Sequence, residues 1–361
     1  MTASARERRV VHVLNTTDTG GAEMVALHLG REMRALGWHP EVLALRGEGA
    51  LSAEFAAAGM RVSNLGVPIG QGVLRIRAAL RHWLARERCD VVHTHNVTPL
   101  VGVALAAPRH ERFRFVHTKH GRARATNLRG KFLTRWAARR ADALVAVSGD
   151  ARDCAIRREG YPAGRMHLIY NGIHVPATAT DQVGQGLRLV TAARLEPIKT
   201  MELLLDAVAL LRRNGVAATL DIVGDGSERP RLEQHAAALA LGEAVRFAGW
   251  QRDVGSWLRG ADCFVLASRS EGLSMTILEA MGHGLPVVAT RVGGNSEVIL
   301  DGTTGRLVPH GDPAALAAAL GDVLGHPEWA RRWGQAGRTR VQQEFSLDAM
   351  ARAYDQLYRG P

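Results

Sequence analysis

Short runs of apolar, largely β-branched residues alternate along the chain with stretches in which apolar residues recur every three to four positions. VVHVLN (10–15), HPEVLAL (39–45), DVVHTH (90–95), FRFVHT (113–118), ALVAVS (143–148) and MHLIYN (166–171) predict buried strands. Helix-period stretches such as AEMVALHLGREMRALG (22–37) lie between them. The scheme repeats with LRLVTAAR (187–194), ATLDIVGDG (218–226), AVRFAGW (244–250), DCFVLAS (262–268), LPVVAT (285–290) and GRLVP (305–309), separated by helices such as MELLLDAVALLRRN (201–214). Alternation of this kind predicts α/β structure, with parallel sheets covered by helices on both faces. The chain of 361 residues is too long for one ordinary core. Two doubly wound domains are expected, over residues 1–172 and 186–345. The seam falls in GIHVPATATDQVGQG (172–186), which is short of large apolar residues. SLDAMARAYDQLYRG (346–360) reads as a last amphipathic helix, and the segment 346–361 is a candidate to pack back on the first domain. In such folds ligands bind beyond the carboxyl ends of the strands. With two facing domains, the cleft between them is the expected site.

Composition narrows the class. Hydrophobic residues make up 46% and charged residues 22%, as in a globular protein. No run of about 18 apolar residues suggests a membrane-spanning helix. The opening MTASARERRVVHVLN passes from a short charged lead directly into a strand, which is not the pattern of a secretory leader. Cys89, Cys154 and Cys263 are far apart and form no CxxC pair, which argues for a reducing cytoplasm and against a disulfide framework or zinc ribbon. The net charge of +11 is unevenly placed. The first 150 residues hold 23 Lys and Arg against 12 Asp and Glu, and the remainder hold 23 of each. The segment RARATNLRGKFLTRWAARR (122–140) has seven basic residues and no acid. It reads either as a surface for an anionic membrane or phosphate-bearing acceptor, or as a solvated helix in an arginine-rich composition. With 5% aromatic residues and no recognised motif, no nucleic-acid partner is expected.

The segment SRSEGLSMTILEAMGHGLPVVAT (268–290) concentrates the candidate chemistry. Its glutamates, Glu271 and Glu279, could be an acid/base pair, a metal site, a sugar-binding device, or nothing functional. In one continuous helix, eight positions would separate them by about 12 Å. Glycosidase carboxyl pairs sit roughly 5 to 9.5 Å apart. A better reading puts Glu271 on a loop, with Ser274 capping a helix that starts near Met275. The helix N-terminus then suits a phosphate. The two carboxylates could bond hydroxyls on either side of a bound diphosphate.

The spacing E-G-L-S-x-x-I-L-E-A-M-x-x-G-L-P-V-V-A-T resembles the donor-site signature of the retaining glycosyltransferases of family 4, whose GT-B fold is two facing Rossmann-like domains with an interdomain cleft. TAARLEPIKTMELLLDAV (191–208), NTTDTGGAE (15–23), DVVHTHN (90–96), IYNGI (169–173), VGDG (223–226) and VGGNSEVI (292–299) match the family's segments in order, so the resemblance covers nearly the whole chain. It implies that Arg194 and Lys199 neutralise a nucleotide diphosphate, that Glu279 binds ribose hydroxyls, and that Glu271 contacts the donor sugar. Gly272, Leu273 and Ser274 would supply backbone contacts. Gly20 and Gly21 would form the loop that approaches the diphosphate and borders the acceptor. His120, in HTKHGR (117–122), would face the donor sugar, and Asp18 is a further candidate near the acceptor hydroxyl. Ser296 and Met275 stand where many members have proline and asparagine, which leaves donor preference open.

His93 and His95 alternate on one strand face, where a metal pair is imaginable. Spacing suggests no third ligand, so strand-end packing or acceptor contact is the expectation, with no metal. The function expected from the resemblance is metal-independent transfer of a hexosyl-type sugar, with retention, from a nucleoside diphosphate sugar, uridine being the commonest base. It needs no cofactor beyond this donor substrate. The acceptor would be a glycan, lipid-linked or small-molecule hydroxyl, with bacterial surface polysaccharide or lipopolysaccharide synthesis at the inner face of the cell membrane as the leaning. A nucleotide-sugar epimerase and a non-catalytic nucleotide-sugar binder are the alternatives. A nicotinamide dehydrogenase is disfavoured, because Gly224-Asp-Gly226 is followed by Arg229 where its fingerprint needs glycine.

Overall fold

Seven parallel strands form the first sheet: β1 (Arg8–Leu14), β2 (Trp38–Ala44), β3 (Arg61–Asn64), β4 (Val91–His95), β5 (Arg114–Lys119), β6 (Ala143–Ala146) and β7 (Met166–Leu168). Their order is β3-β2-β1-β4-β5-β6-β7. Six parallel strands form the second: β8 (Arg188–Ala192), β9 (Thr219–Val223), β10 (Val245–Gly249), β11 (Cys263–Leu266), β12 (Val287–Thr290) and β13 (Gly305–Val308), in the order β10-β9-β8-β11-β12-β13. The computed structural model describes residues 8–107, 112–121, 128–179 and 188–360. By internal contacts the chain divides into Met1–Gly172 with Leu347–Pro361, and Ile173–Ser346. The second unit is closed by its own ends, where Ile173 N donates to Phe345 O at 2.9 Å.

The central strands, such as β4, β6, β11 and β12, are buried on both faces because helices cover both sides of a parallel sheet. On one face of the first sheet, Val11, Val13, Val92 and Phe115 pack with Leu80, Leu100 and Ala137. On the other face, Leu14 and Val42 pack with Leu27, Phe55 and Met60. The final helix Leu347–Arg359 lies against the helix Gly21–Ala35. It buries Met350, Tyr354, Leu357 and Tyr358, and Trp38 Nε1 donates to Asp355 at 2.7 Å. β3 was not anticipated. Its sequence RVSN has one aliphatic residue and no buried position, as an edge strand allows.

Candidate functional site

Strand order reverses in each sheet, between β1 and β4 in the first and between β8 and β11 in the second. At a reversal the loops leaving neighbouring strands diverge and open a crevice at the carboxyl ends. In the second unit the loop after β8 carries Arg194 and Lys199, and the loop after β11 carries Ser268 to Ser274. Lys199 Nζ stands 2.6 Å from Glu271 Oε1, and Ser268 Oγ donates to the same oxygen at 2.5 Å. Ser268 was missed at the sequence level. A serine three residues before Glu271 in a loop was the available signal.

The two loops interlock. Arg269 N donates to Ile198 O at 2.9 Å, and Thr200 Oγ1 donates to Ala267 O at 2.5 Å. Thr290 Oγ1 donates to Ser268 O at 2.6 Å, and Asn295 Nδ2 to Thr290 O at 3.0 Å. Thr200 adopts φ +44° directly after Lys199. That conformation is strained for a β-branched residue and persists because its surroundings hold it. Gly293 has φ +51°, and a Cβ there would lie 1.8 Å from the Glu271 carbonyl oxygen. The GG of VGGNSEVI therefore works as a backbone seat for Glu271.

The helix Met275–Gly282 starts three residues beyond Glu271's neighbour Gly272, with Ser274 Oγ accepting from Ile277 N at 3.5 Å. Its first amides and positive dipole end face the same loop. Leu273 and Ser274 are buried and Gly272 half-buried. Glu279 lies in the second turn. Burial pushes its carboxyl up to about 7, and among the described residues no donor or cation is bonded to it. Arg194 is exposed and, among the described residues, has no side-chain partner. Its loop is clamped by VGDG: Ala193 N donates to Val223 O at 3.0 Å, and Leu195 N to Asp225 O at 2.9 Å. Gly224 has φ +133°, and a Cβ would lie 1.9 Å from Ala193 O. The structure thus bonds Lys199 to Glu271. Arg194 and Glu279 share no bond with them and offer a free cation and an unpaired carboxyl.

In the first unit Gly20 caps the helix Gly21–Ala35 without a side-chain hydrogen bond. Its backbone is extended, and a Cβ would push against the Glu23 carboxylate at 2.3 Å; at Gly21 a Cβ would meet nothing within 4 Å. Neither glycine is demanded by the backbone dihedrals, so the open space at Gly21 is what a ligand could use. Asp18 is exposed, while Thr17 Oγ1 accepts from Gly49 N at 2.7 Å and fixes the loop.

The spacing argument against a third imidazole beside His93 and His95 fails in three dimensions. His12 on β1 is registered with His93, so it shares their face, and one ring nitrogen of each lies within 4.8 Å of the others. His12 Nδ1 and His95 Nε2 are 3.1 Å apart. His95 Nδ1 and His120 Nε2 are 2.8 Å apart. His93 contacts Tyr358 Oη at 2.6 Å and Thr118 Oγ1 at 2.7 Å, and Thr118 Oγ1 contacts Tyr354 Oη at 2.8 Å. His93 and His95 thus have all ring nitrogens engaged, and a metal could enter only by breaking these bonds. Burial lowers His12 and His120 to about 3 and depresses His93 and His95 strongly. The cluster is neutral. His117 points to the opposite face, toward Thr94. Asn96, directly after His95, has φ +68°.

Of the basic segment 122–140, residues 122–127 lie outside the described ones. The helix Leu128–Ala138 exposes Phe132 and carries Arg129, Lys131 and Arg135, while Arg140 stacks over Trp136 with 4.9 Å to the ring centroid. No described helix is long and apolar enough to cross a membrane.

Comparison with known proteins bears on the family and the fold. Residues 19–175 match the family described as Glycosyltransferase Family 4, and residues 186–326 the one described as Glycosyl transferases group 1. The chain is 31% identical to D-inositol 3-phosphate glycosyltransferase of Frankia alni, over 95% of both chains. It is 36% identical to the lipopolysaccharide core biosynthesis glycosyltransferase LpsE of Rhizobium meliloti, over 47% of this chain and 48% of that one. Anabaena HepE in complex with UDP and glucose superposes with a TM-score of 0.85 at 20% identity, over 98% of this chain and 100% of that one.

Proposed function

The chain belongs to glycosyltransferase family 4, with the GT-B fold and nucleotide-sugar donors, and we propose that it transfers a hexosyl-type sugar from a UDP-sugar to an acceptor hydroxyl with retention. The observation that carries the reading is the second unit's switch-point crevice. There the Lys199–Glu271 pair, 2.6 Å apart, borders a helix N-terminus, with the unpaired Glu279 in the next turns. Arg194, Lys199 and the amides of Gly272 to Ser274 would hold the diphosphate and stabilise the charge growing on it as the glycosidic bond breaks. Glu279 would accept from the ribose hydroxyls. Glu271, oriented by Lys199 and Ser268, would accept from sugar hydroxyls. Gly20, Gly21 and His120 of the first unit would complete the reaction, His120 as a hydrogen-bond partner of the sugar.

With Glu271 assigned to the sugar hydroxyls, the mechanism is the front-face attack that the family resemblance implies, in which the acceptor hydroxyl bonds to the anomeric carbon and the departing phosphate oxygen takes its proton. Uridine as the base is supported by the HepE complex with UDP and glucose. A surface-glycan acceptor, reached at an anionic membrane face through the helix Leu128–Ala138, is supported by the likeness to LpsE and by that helix's charge.

Turnover of UDP-, GDP- and ADP-sugars with and without added glycan acceptors tests the reading, with the anomer of the product read by NMR. Acceptor-dependent release of UDP, with the donor's anomeric configuration kept and full rate in EDTA, is expected. Acceptor-independent conversion would make the protein an epimerase. Binding without turnover would make it a nucleotide-sugar binder. An inverted product, or activity lost in EDTA and restored by Mg²⁺, would refute the mechanism.

A further inference from the structure

Three imidazoles stand in line in the first unit: His12, His95 and His120. One contact joins His12 Nδ1 to His95 Nε2 at 3.1 Å, and the next joins His95 Nδ1 to His120 Nε2 at 2.8 Å. The two outer nitrogens, His12 Nε2 and His120 Nδ1, are buried and have no partner among the described residues. We propose that His95 and His12 are positioning residues that lock His120 as its Nδ1–H tautomer, so that it meets the donor sugar as a neutral hydrogen-bond donor. The inference deepens the function proposed above and rests on His120 contacting the sugar.

The lock follows from counting protons. A neutral imidazole carries one N–H and one bare nitrogen. Each of the two contacts needs one proton and no more. If the His95 proton is on Nδ1, it fills the contact with His120, whose own proton must then sit on Nδ1, and His12 must supply the other contact from its Nδ1. All three rings are then Nδ1–H. If the His95 proton is on Nε2, all three are Nε2–H. No mixed state satisfies both contacts, so the line has two states and one ring fixes the others.

The ends decide between the states. The all-Nε2–H state strands an N–H at His12, which is fully buried and closed to any ligand. The all-Nδ1–H state leaves His12 a bare nitrogen and moves the unpaired N–H to His120, which is half-buried after the end of β5. Each state strands one buried N–H, but His12 is fully buried within β1, whereas His120 stands beyond the end of β5 with part of its residue exposed, so only at His120 can a ligand that displaces the covering atoms supply the missing acceptor. His93 holds the line in place: its ring lies 4.2 Å from that of His95, centroid to centroid, and its nitrogens are tied to Tyr358 and Thr118. Among the described residues, no carboxylate is bonded to His12 to stabilise an imidazolium, and burial favours the neutral rings. Such a line ends in a donor and cannot serve as a base. That agrees with the leaving phosphate, and not His120, taking the acceptor proton.

The test is the tautomer itself. In protein labelled with ¹⁵N-histidine, long-range ¹H–¹⁵N correlation spectra distinguish protonated from bare ring nitrogens, and His12→Asn, His95→Gln and His120→Ala assign the signals. Nδ1–H patterns for His12, His95 and His120 at pH 7.5 are expected. Nε2–H patterns, or a mixture, overturn the proposal, and this reading needs no activity. In turnover, His12→Phe removes the end of the line and lowers kcat by at least about tenfold, as tautomer loss does in a catalytic triad, with KM within about threefold. His12→Asn, whose amide N–H can replace Nδ1–H, restores most of the rate. In a His120→Ala background His12→Phe has no further effect. An equal loss in that background would mean that His12 acts on packing alone and would overturn the proposal. Full turnover in His120→Ala by itself would instead refute the sugar-contact reading, leaving the spectra to judge the lock.

Discussion

Glu279→Gln isolates the energetic consequence of burying a carboxyl at the proposed nucleotide site. In the folded protein burial raises the Glu279 carboxyl from the ordinary 4.5 to about 7. Below pH 4.5 both folded and unfolded chains hold the proton, and ionisation affects neither. Between 4.5 and 7 the unfolded chain has lost the proton that the folded chain keeps. The folded state then binds more protons, so stability falls as pH rises. Above about 7 both forms are ionised and the penalty is constant. Each pH unit in the window is worth about 1.4 kcal/mol, which sets a ceiling of about 3 kcal/mol. The residue is half-buried, and water reaching the carboxylate brings the expected value to about 1 to 3 kcal/mol. Glutamine keeps the shape and carries no charge. The difference in urea unfolding free energy between the variant and the parent should therefore be small and flat below pH 4.5. It should grow in the variant's favour up to pH 7 and level off by pH 8.5. With a urea slope of about 2 kcal/mol per molar, that is a midpoint shift of roughly 0.5 to 1.5 M. Every other titrating group cancels in the difference. A difference that does not change between pH 4.5 and 8.5 would refute the argument that Glu279 is an unpaired, desolvated acid.

Lys199→Met should lower kcat by about 10²- to 10³-fold, as removal of one stabilising group does, and destabilise the protein by about 1 to 3 kcal/mol, since it strips the cation from a Glu271 side chain that is only 10% exposed; steady-state kinetics and urea unfolding check both. Gly293→Ala places a Cβ 1.8 Å from the Glu271 carbonyl oxygen at φ +51°, so it should destabilise the protein by about 1 to 3 kcal/mol and weaken UDP binding, read by urea unfolding and calorimetry. Tyr354→Ala should destabilise by about 3 to 5 kcal/mol and Tyr354→Phe by about 1 kcal/mol, because the ring is fully buried while the hydroxyl makes one contact, to Thr118 at 2.8 Å; equal losses would mean that the hydroxyl, not the ring, carries the effect.

Strands were legible because a parallel sheet buries both faces, so its strands read as unbroken apolar runs: VVAT (287–290) and ALVA (143–146) are buried at every position. RVSN (61–64) was not, since an edge strand satisfies little of that demand. The helix after Glu271 could be placed from Ser274 alone, because capping is local. The order of residues along the chain also determined which loops carry the candidate groups, for Arg194, Lys199, Glu271 and Glu279 each follow a strand of the alternating pattern. Contacts across the sheet were beyond its reach. That Ser268 and Lys199 converge on one oxygen of Glu271 depends on β8 and β11 being neighbours, although 72 positions separate Lys199 from Glu271. That His12 joins His93 and His95 depends on the register of β1 against β4, 83 positions apart for the pair His12 and His95. Local propensity and period are written residue by residue, and the chain alone determines them. Hydrogen-bonded register, burial, and the pKa values that burial sets are properties of distant segments brought together, and only the tertiary structure decided those.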